Sequence, residues 1–184
     1  MKQKFGIDFD GVISDSRAVK QQIVQEKFGV KIPLDLTGYE AVMKNGFITN
    51  DQYQELAVLM YESEIVMETE PVIGAVETIE VLRQSFDITI VTSRTQTGVD
   101  LAKRWCEING LKGIEVVGTN RQEKTQALEG FEYFIDDSLK KLIPLIGLVP
   151  NLYLFSWPYN ADEEVPAGIE RVWSWKELGN KLEL

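Results

Sequence analysis

Residues 4–12 read Lys-Phe-Gly-Ile-Asp-Phe-Asp-Gly-Val, with Phe5, Ile7 and Phe9 alternating with Gly6, Asp8 and Asp10. A period of two predicts a short strand, with Asp8 and Asp10 on one side where it runs out. Gly11 follows at once and lets the chain turn away. The apolar period then changes. Ala18, Val19, Ile23, Val24 and Phe28 recur at helical spacing, with Ser14 or Asp15 as the cap and Gly29 as the stop. Pro33 and Gly38 mark breaks, and Thr49 or Asn50 can cap a second long helix over 51–68. Its apolar face is Tyr53, Leu56, Ala57, Met60 and Tyr61. Residues 14–69 carry no strand pattern and read as a small helical insertion.

Pro71 reopens an alternation of helices and strands. Helices are expected over 73–84, 99–109 and 138–146, with a last one beginning near Ser174. Apolar runs at 86–92, 114–117, 133–135 and 151–155 read as further strands. Strands separated by helices predict an α/β fold with a parallel sheet covered on both faces. Such sheets bind ligands at the carboxyl ends of their strands. The expected division is a core of 1–13 and 70–184, with 14–69 set apart.

Composition narrows the chemistry. The 184 residues suffice for one core plus a modest insertion. A net charge of −10 argues against a nucleic acid or an anionic membrane as partner. Histidine is absent, which removes a Ser-His-Asp triad, a Cys-His dyad and His-ligated zinc. The single Cys106 sits in an amphipathic pattern and is expected to be buried. No signal peptide and no apolar stretch near the roughly 20 residues of a membrane span is visible, so a cytoplasmic location is expected.

Candidate chemistry lies at the strand ends. Asp8 and Asp10 are paired carboxylates that repel each other unless a cation or a shared proton intervenes; capping of a turn is the plain alternative. Thr92, Ser93 and Arg94 end the 86–92 strand, where hydroxyls and amides can hold a phosphoryl oxygen or merely cap a helix. Lys124 is the one lysine between Gly113 and the next strand, with Arg121 as its rival. Asp136 and Asp137 follow the 133–135 strand, where Asp137 or Ser138 could also cap a helix. Oxygen ligands without His or thiolate suit Mg²⁺.

In the order Asp-x-Asp, Thr-Ser, Lys, Asp-Asp, these segments resemble the four motifs of the haloacid dehalogenase (HAD) superfamily of phosphohydrolases. Asp-Phe-Asp-Gly-Val-Ile-Ser-Asp, Pro71-Val-Ile-Gly-Ala, Val91-Thr-Ser-Arg, Val117-Gly-Thr and Leu154-Phe-Ser-Trp-Pro-Tyr-Asn160 are similar to the bacterial branch near the 5′(3′)-deoxyribonucleotidases. Arg94 departs from the Pro often found there. The resemblance implies a Rossmann-like core with a helical cap after the first strand. It implies Asp8 as nucleophile, Asp10 as general acid and base, Thr92 and Lys124 as further catalytic groups, and Gly11, Ser93 and Arg94 as phosphate-binding. It implies Mg²⁺ held by Asp8, the main-chain carbonyl of Asp10, Asp136 and Asp137.

The expected function is therefore Mg²⁺-dependent hydrolysis of a phosphomonoester through an aspartyl-phosphate, with a nucleoside monophosphate as substrate. A phosphatase or phosphomutase for another small phosphorylated metabolite is the alternative, and a silent binding module a further one. A response-regulator receiver would carry its acidic pair first, not last. Phe28, Tyr39, Phe47, Tyr53 and Tyr61 in the insertion are candidates for core packing or for stacking on a base. The segment 157–160 is expected on the active-site side and Asp162 to Glu164 in a solvated loop. Homo-oligomerisation is left open.

Overall fold

The computed structural model describes residues 2–184; Met1, counted in the core segment, lies outside them. β1 (Gln3–Ile7) leads into β2 (Ser14–Asp15), then α1 (Arg17–Phe28), α2 (Tyr39–Asn45) and α3 (Asn50–Glu62). β3 (Glu70–Pro71), α4 (Ala75–Ser85), β4 (Phe86–Thr92), α5 (Gln96–Ile108), β5 (Glu115–Gly118) and β6 (Tyr133–Asp136) come next. The chain ends with α6 (Leu139–Leu142), β7 (Asn151–Phe155), β8 (Ile169–Val172) and α7 (Trp175–Lys181). Six strands form one sheet in the order β5-β4-β1-β6-β7-β8, every pair parallel.

The sheet is covered on both faces because alternate residues point oppositely. Ile135, Tyr153 and Phe155 join Phe5, Ile7 and Ile90 in a cluster with Ile79 of α4, Trp105 of α5 and Trp175 of α7. Their neighbours Phe134, Leu152 and Leu154 join Leu142 and Leu145 on the other face. β1 sits centrally, between β4 and β6, so both its edges are paired. Asp8, directly after this strand, is thereby delivered to the middle of the sheet's carboxyl edge.

The helices α1 to α3 have an apolar cluster of their own, with Val24, Ile32, Val42, Leu56 and Met60 buried in it. β2 and β3 pair antiparallel at its base, where the Ser14 and Thr69 hydroxyls are 2.7 Å apart. No helix of the described residues is long and apolar enough to cross a membrane.

Several boundaries differ from expectation for local reasons. The helix expected over 51–68 breaks at Ser63, whose extended backbone separates α3 from a five-residue 3₁₀ turn. The helix expected over 138–146 stops after one turn, and a 3₁₀ turn carries Pro144, which has no N–H to continue the ladder. α4 begins at Ala75 because Gly74 is left-handed, with φ 80°. β8, an edge strand, and the two-residue β2 and β3 were not expected. Cys106 is buried as expected, and burial pushes its thiol up to about 12.

Candidate active site

β1 ends at Ile7, and the next residue enters the site. The Asp8 amide donates to the Ile135 carbonyl at 2.9 Å, fixing it between β1 and β6. Its side chain is 1% exposed. A bare carboxylate so deeply buried is strongly disfavoured unless it is paired. Lys124 supplies the pairing: its Nζ donates to Asp8 Oδ1 at 2.6 Å and to Asp136 Oδ2 at 2.7 Å. Lys141 adds a second ammonium, 3.5 Å from Asp8 Oδ2 and 3.8 Å from Asp136 Oδ1. Burial pushes the Asp8 carboxyl up, but Lys124 and Lys141 outweigh it and hold it below the usual carboxylate range. Arg121, the rival of Lys124, pairs instead with Glu62 at the end of α3 and is more than half exposed.

β6 delivers the acidic pair. Asp136 is fully buried, and its Oδ1 accepts the Ser138 amide at 2.9 Å. Asp137 Oδ2 accepts the Tyr159 hydroxyl, and the Asp137 carbonyl accepts Asn160 Nδ2 at 2.8 Å. Burial, and then the negative charge of Asp136, push Asp137 up to about 7. One carboxylate oxygen each from Asp8, Asp136 and Asp137 lies within 4.8 Å of the others. Asp8 Oδ2 is buried and accepts no hydrogen bond among the described residues. An orphaned carboxylate oxygen beside two more is a donor set that fits a hard divalent cation.

Asp10 stands outside this cluster, in the wall of the cavity above it. Arg94 grips it bidentately, with Nε to Oδ2 at 2.9 Å and Nη2 to Oδ1 at 2.7 Å. Arg94 also donates Nη1 to the Tyr61 carbonyl at 3.2 Å, so each of its side-chain nitrogens makes a hydrogen bond within the protein and it does not line the cavity. Gly11, with φ 79°, spends its amide on the Ser14 carbonyl; any Cβ there would overlap the Asp137 carboxylate. Its lack of a side chain leaves room for that carboxylate. Thr92 is buried and its hydroxyl faces the Arg94 amide, whereas Ser93 lines the cavity.

The cavity above measures about 470 Å³. The core contributes Asp10, Lys124, Asp137 and Lys141; the helical segment contributes Lys20 of α1 and the rings of Tyr39, Tyr53 and Tyr61. Phe28 and Phe47 pack against the apolar cluster of that segment, in which Tyr53 and Tyr61 also take part. Lys20, Lys141 and Glu163 were not anticipated as lining residues. Glu163, expected in a solvated loop, faces the cavity with a buried Oε2 that has no hydrogen-bond partner among the described residues. Lys141 stands five residues after Asp136 beside the equally basic Lys140, so sequence offered no way to choose it. Tyr159 lay within a segment already expected on this side.

The family model described as "5′ nucleotidase, deoxy (Pyrimidine), cytosolic type C protein" matches residues 2–182. A protein of Bacillus cereus named "Putative nucleotidase" is 27% identical over 187 residues, covering 96% of each chain. One of the same description from Halalkalibacterium halodurans is 25% identical over 183 residues, covering 96% of this chain and 90% of its own. Among solved structures, a HAD family hydrolase from Deinococcus radiodurans with bound phosphate and sodium superposes with a TM-score of 0.68. It is 17% identical, covering 98% of this chain and 95% of its own. A protein of Bacillus subtilis described as a "putative HAD-hydrolase", bound to magnesium, gives a TM-score of 0.61 at 18% identity, covering 100% and 99%. The structural likenesses establish the fold, and the match over nearly the whole sequence establishes more: the chain belongs to the cytosolic type C 5′-nucleotidase family, within the HAD hydrolases.

Proposed function

We propose that this protein hydrolyses a phosphomonoester, with a nucleoside monophosphate as substrate, by transient transfer of the phosphoryl group to Asp8. The observation that carries the reading is Lys124 bridging Asp8 and Asp136 beneath a cavity at the carboxyl edge of the sheet. An ionised buried carboxylate can attack phosphorus, provided cations offset its repulsion from a phosphate dianion. Lys124 and Lys141 meet that need from the protein side.

Asp8, Asp136 and Asp137 would hold Mg²⁺, together with the main-chain carbonyl of Asp10. When bound, the ion supplies positive charge against the phosphoryl oxygens. The Asp8 carboxylate forms a bond to phosphorus as the ester oxygen departs, and Asp10 gives that oxygen its proton. A water then attacks the same phosphorus, Asp10 takes the water's proton, and the Asp8–phosphate bond breaks to release inorganic phosphate. Ser93 lines the cavity where a phosphoryl oxygen would lie, and Thr92 supports the Arg94 backbone behind it.

Residues 14–69 act in this reading as a cap over a core of 1–13 and 70–184, excluding water and reading the leaving group. Tyr39, Tyr53 and Tyr61 give the cap a surface suited to a flat base, and the family description supports a nucleotide.

The test is phosphate release with Mg²⁺ from nucleoside monophosphates, sugar phosphates and p-nitrophenyl phosphate, beside an Asp8→Asn control. Release from deoxynucleotides well above sugar phosphates, absent in Asp8→Asn, is expected. Release from the generic ester alone removes the nucleotide from the reading, and full activity in Asp8→Asn removes the covalent route.

A further inference from the structure

Arg94 is 4% exposed, and the fold is shaped to hold it. Its guanidinium carbon lies 4.8 Å from the centroid of the Phe9 ring and 5.3 Å from that of Tyr61. Two glycines make room. A Cβ at Gly98 would come within 2.5 Å of the Tyr61 carbonyl and 2.9 Å of Arg94 Cβ, and one at Gly118 within 2.7 Å of the Arg94 carbonyl. The Asn120 amide donates to that same carbonyl at 3.2 Å, and the flanking Thr92 and Ser93 carbonyls accept from Thr119 and Arg121. The backbone around Arg94 is therefore fixed on both sides.

The two ends of the guanidinium serve different parts of the molecule. Nε and Nη2 bind the two oxygens of Asp10, while Nη1 reaches the Tyr61 carbonyl in the last turn of α3. Carbonyls in a last turn lack an intrahelical partner, and a cation there is favourable. Planar, two-point binding of a carboxylate fixes its plane and its direction, which a lysine in the same place would not do.

We propose that Arg94 is the positioning residue of Asp10, setting the orientation from which Asp10 exchanges protons and tying it to the end of α3. This rests on the reading of Asp10 as the group that moves the proton. Arg94 itself touches no substrate in this assignment, unlike a phosphate-binding arginine. A proton-transfer group turned out of line loses rate without losing substrate binding.

The experiment uses p-nitrophenyl phosphate, whose leaving group needs little protonation, so that variants at Asp10 retain a measurable rate. Arg94→Met, Arg94→Lys, Asp10→Asn and the Arg94→Met/Asp10→Asn double variant are compared for kcat, KM and inhibition by inorganic phosphate. Near-ultraviolet circular dichroism reports the fold. The expected result is a fall of about ten- to a hundredfold in kcat for Arg94→Met. KM and the phosphate inhibition constant should stay within about twofold, and Arg94→Lys should recover only part of the rate. In the Asp10→Asn background Arg94→Met should change kcat little, because two residues acting as a unit are not additive.

A rise of tenfold or more in the phosphate inhibition constant with kcat intact would assign Arg94 to phosphate instead and overturn the inference. So would independent, multiplicative effects of the two substitutions. Loss of the folded signature in both Arg94 variants would assign it a structural role only. Absence of any turnover by the unaltered protein, on this ester and on nucleotides alike, would instead strike the hydrolase reading beneath it.

Discussion

The Tyr159 hydroxyl donates to Oδ2 of Asp137, joining the loop after β7 to the acidic pair at the end of β6. On its other side the Tyr159 ring lies where a Cβ at Gly38 would come within 2.6 Å. One side chain thus touches a candidate cation ligand and the helical segment that lines the cavity. Tyr159→Phe keeps the ring and deletes the donor. Partners of this kind contribute about 10–100-fold to metal affinity, so Mg²⁺ binding by calorimetry should weaken by about tenfold. Unchanged affinity would separate Tyr159 from the cation site.

Asp137 predicts a pH dependence that few other groups obscure, since the chain has no histidine. Its carboxyl stands at about 7 in the fold against an ordinary value of 3.8. Between those limits the folded protein holds a proton that the unfolded chain has released. The stabilisation is therefore fully present below about 4 and is lost as pH rises through about 7. In EDTA, the melting temperature should fall from pH 5 to 7 and then flatten. Bound Mg²⁺ favours the ionised form, so saturating metal should abolish the fall, and apparent Mg²⁺ affinity should rise with pH up to about 7. A metal-free melting temperature that does not change over that window would contradict the assignment.

Lys124→Met leaves Asp8 and Asp136 without the ammonium that bonds to both. Removing one partner of a buried ion pair costs about 3–5 kcal/mol, with the lower end expected because Lys141 stays nearby. Urea unfolding at neutral pH measures this. Phosphate release should fall by about 10²–10³-fold, the scale of a lost charge-stabilising donor. A full-rate variant would exclude Lys124 from the chemistry.

Gly11→Ala forces a side chain into left-handed backbone, which costs about 1–2 kcal/mol. Its Cβ would also displace the Asp137 carboxylate. The expected phenotype is a modest loss of stability with a larger loss of Mg²⁺ affinity, read by melting with and without the ion.

What sequence revealed and what it hid divide along one physical line. The strand of Phe5 and Ile7 is written in a two-residue period, and β4 and β7 run over the expected 86–92 and 151–155 because apolar and β-branched residues dominate both runs. β8 is four residues long with Glu170 and Arg171 at its centre, too short and too charged at an edge to carry a pattern. The pairing of Arg94 with Asp10 was hidden for a different reason. Its partners, Asp10 and Tyr61, lie 84 and 33 residues away, and no local rule reports such a meeting. Asp8 and Lys124, 116 residues apart, were legible together only through the spacing of a known set of motifs.

Ser14–Asp15 and Glu70–Pro71 run side by side, so the chain returns to the sheet where it left it. The helices between them form a cassette on its own stem. Closing a longer loop adds only a logarithmic entropy term, and the stem isolates the register of β1 and β4 from whatever length lies beyond. Descendants of such a chain can lengthen, trim or rewrite the helices without moving Asp8 or Lys124. The side chains that the cassette sets along the cavity are free to diverge while the carboxylates beneath it stay in place.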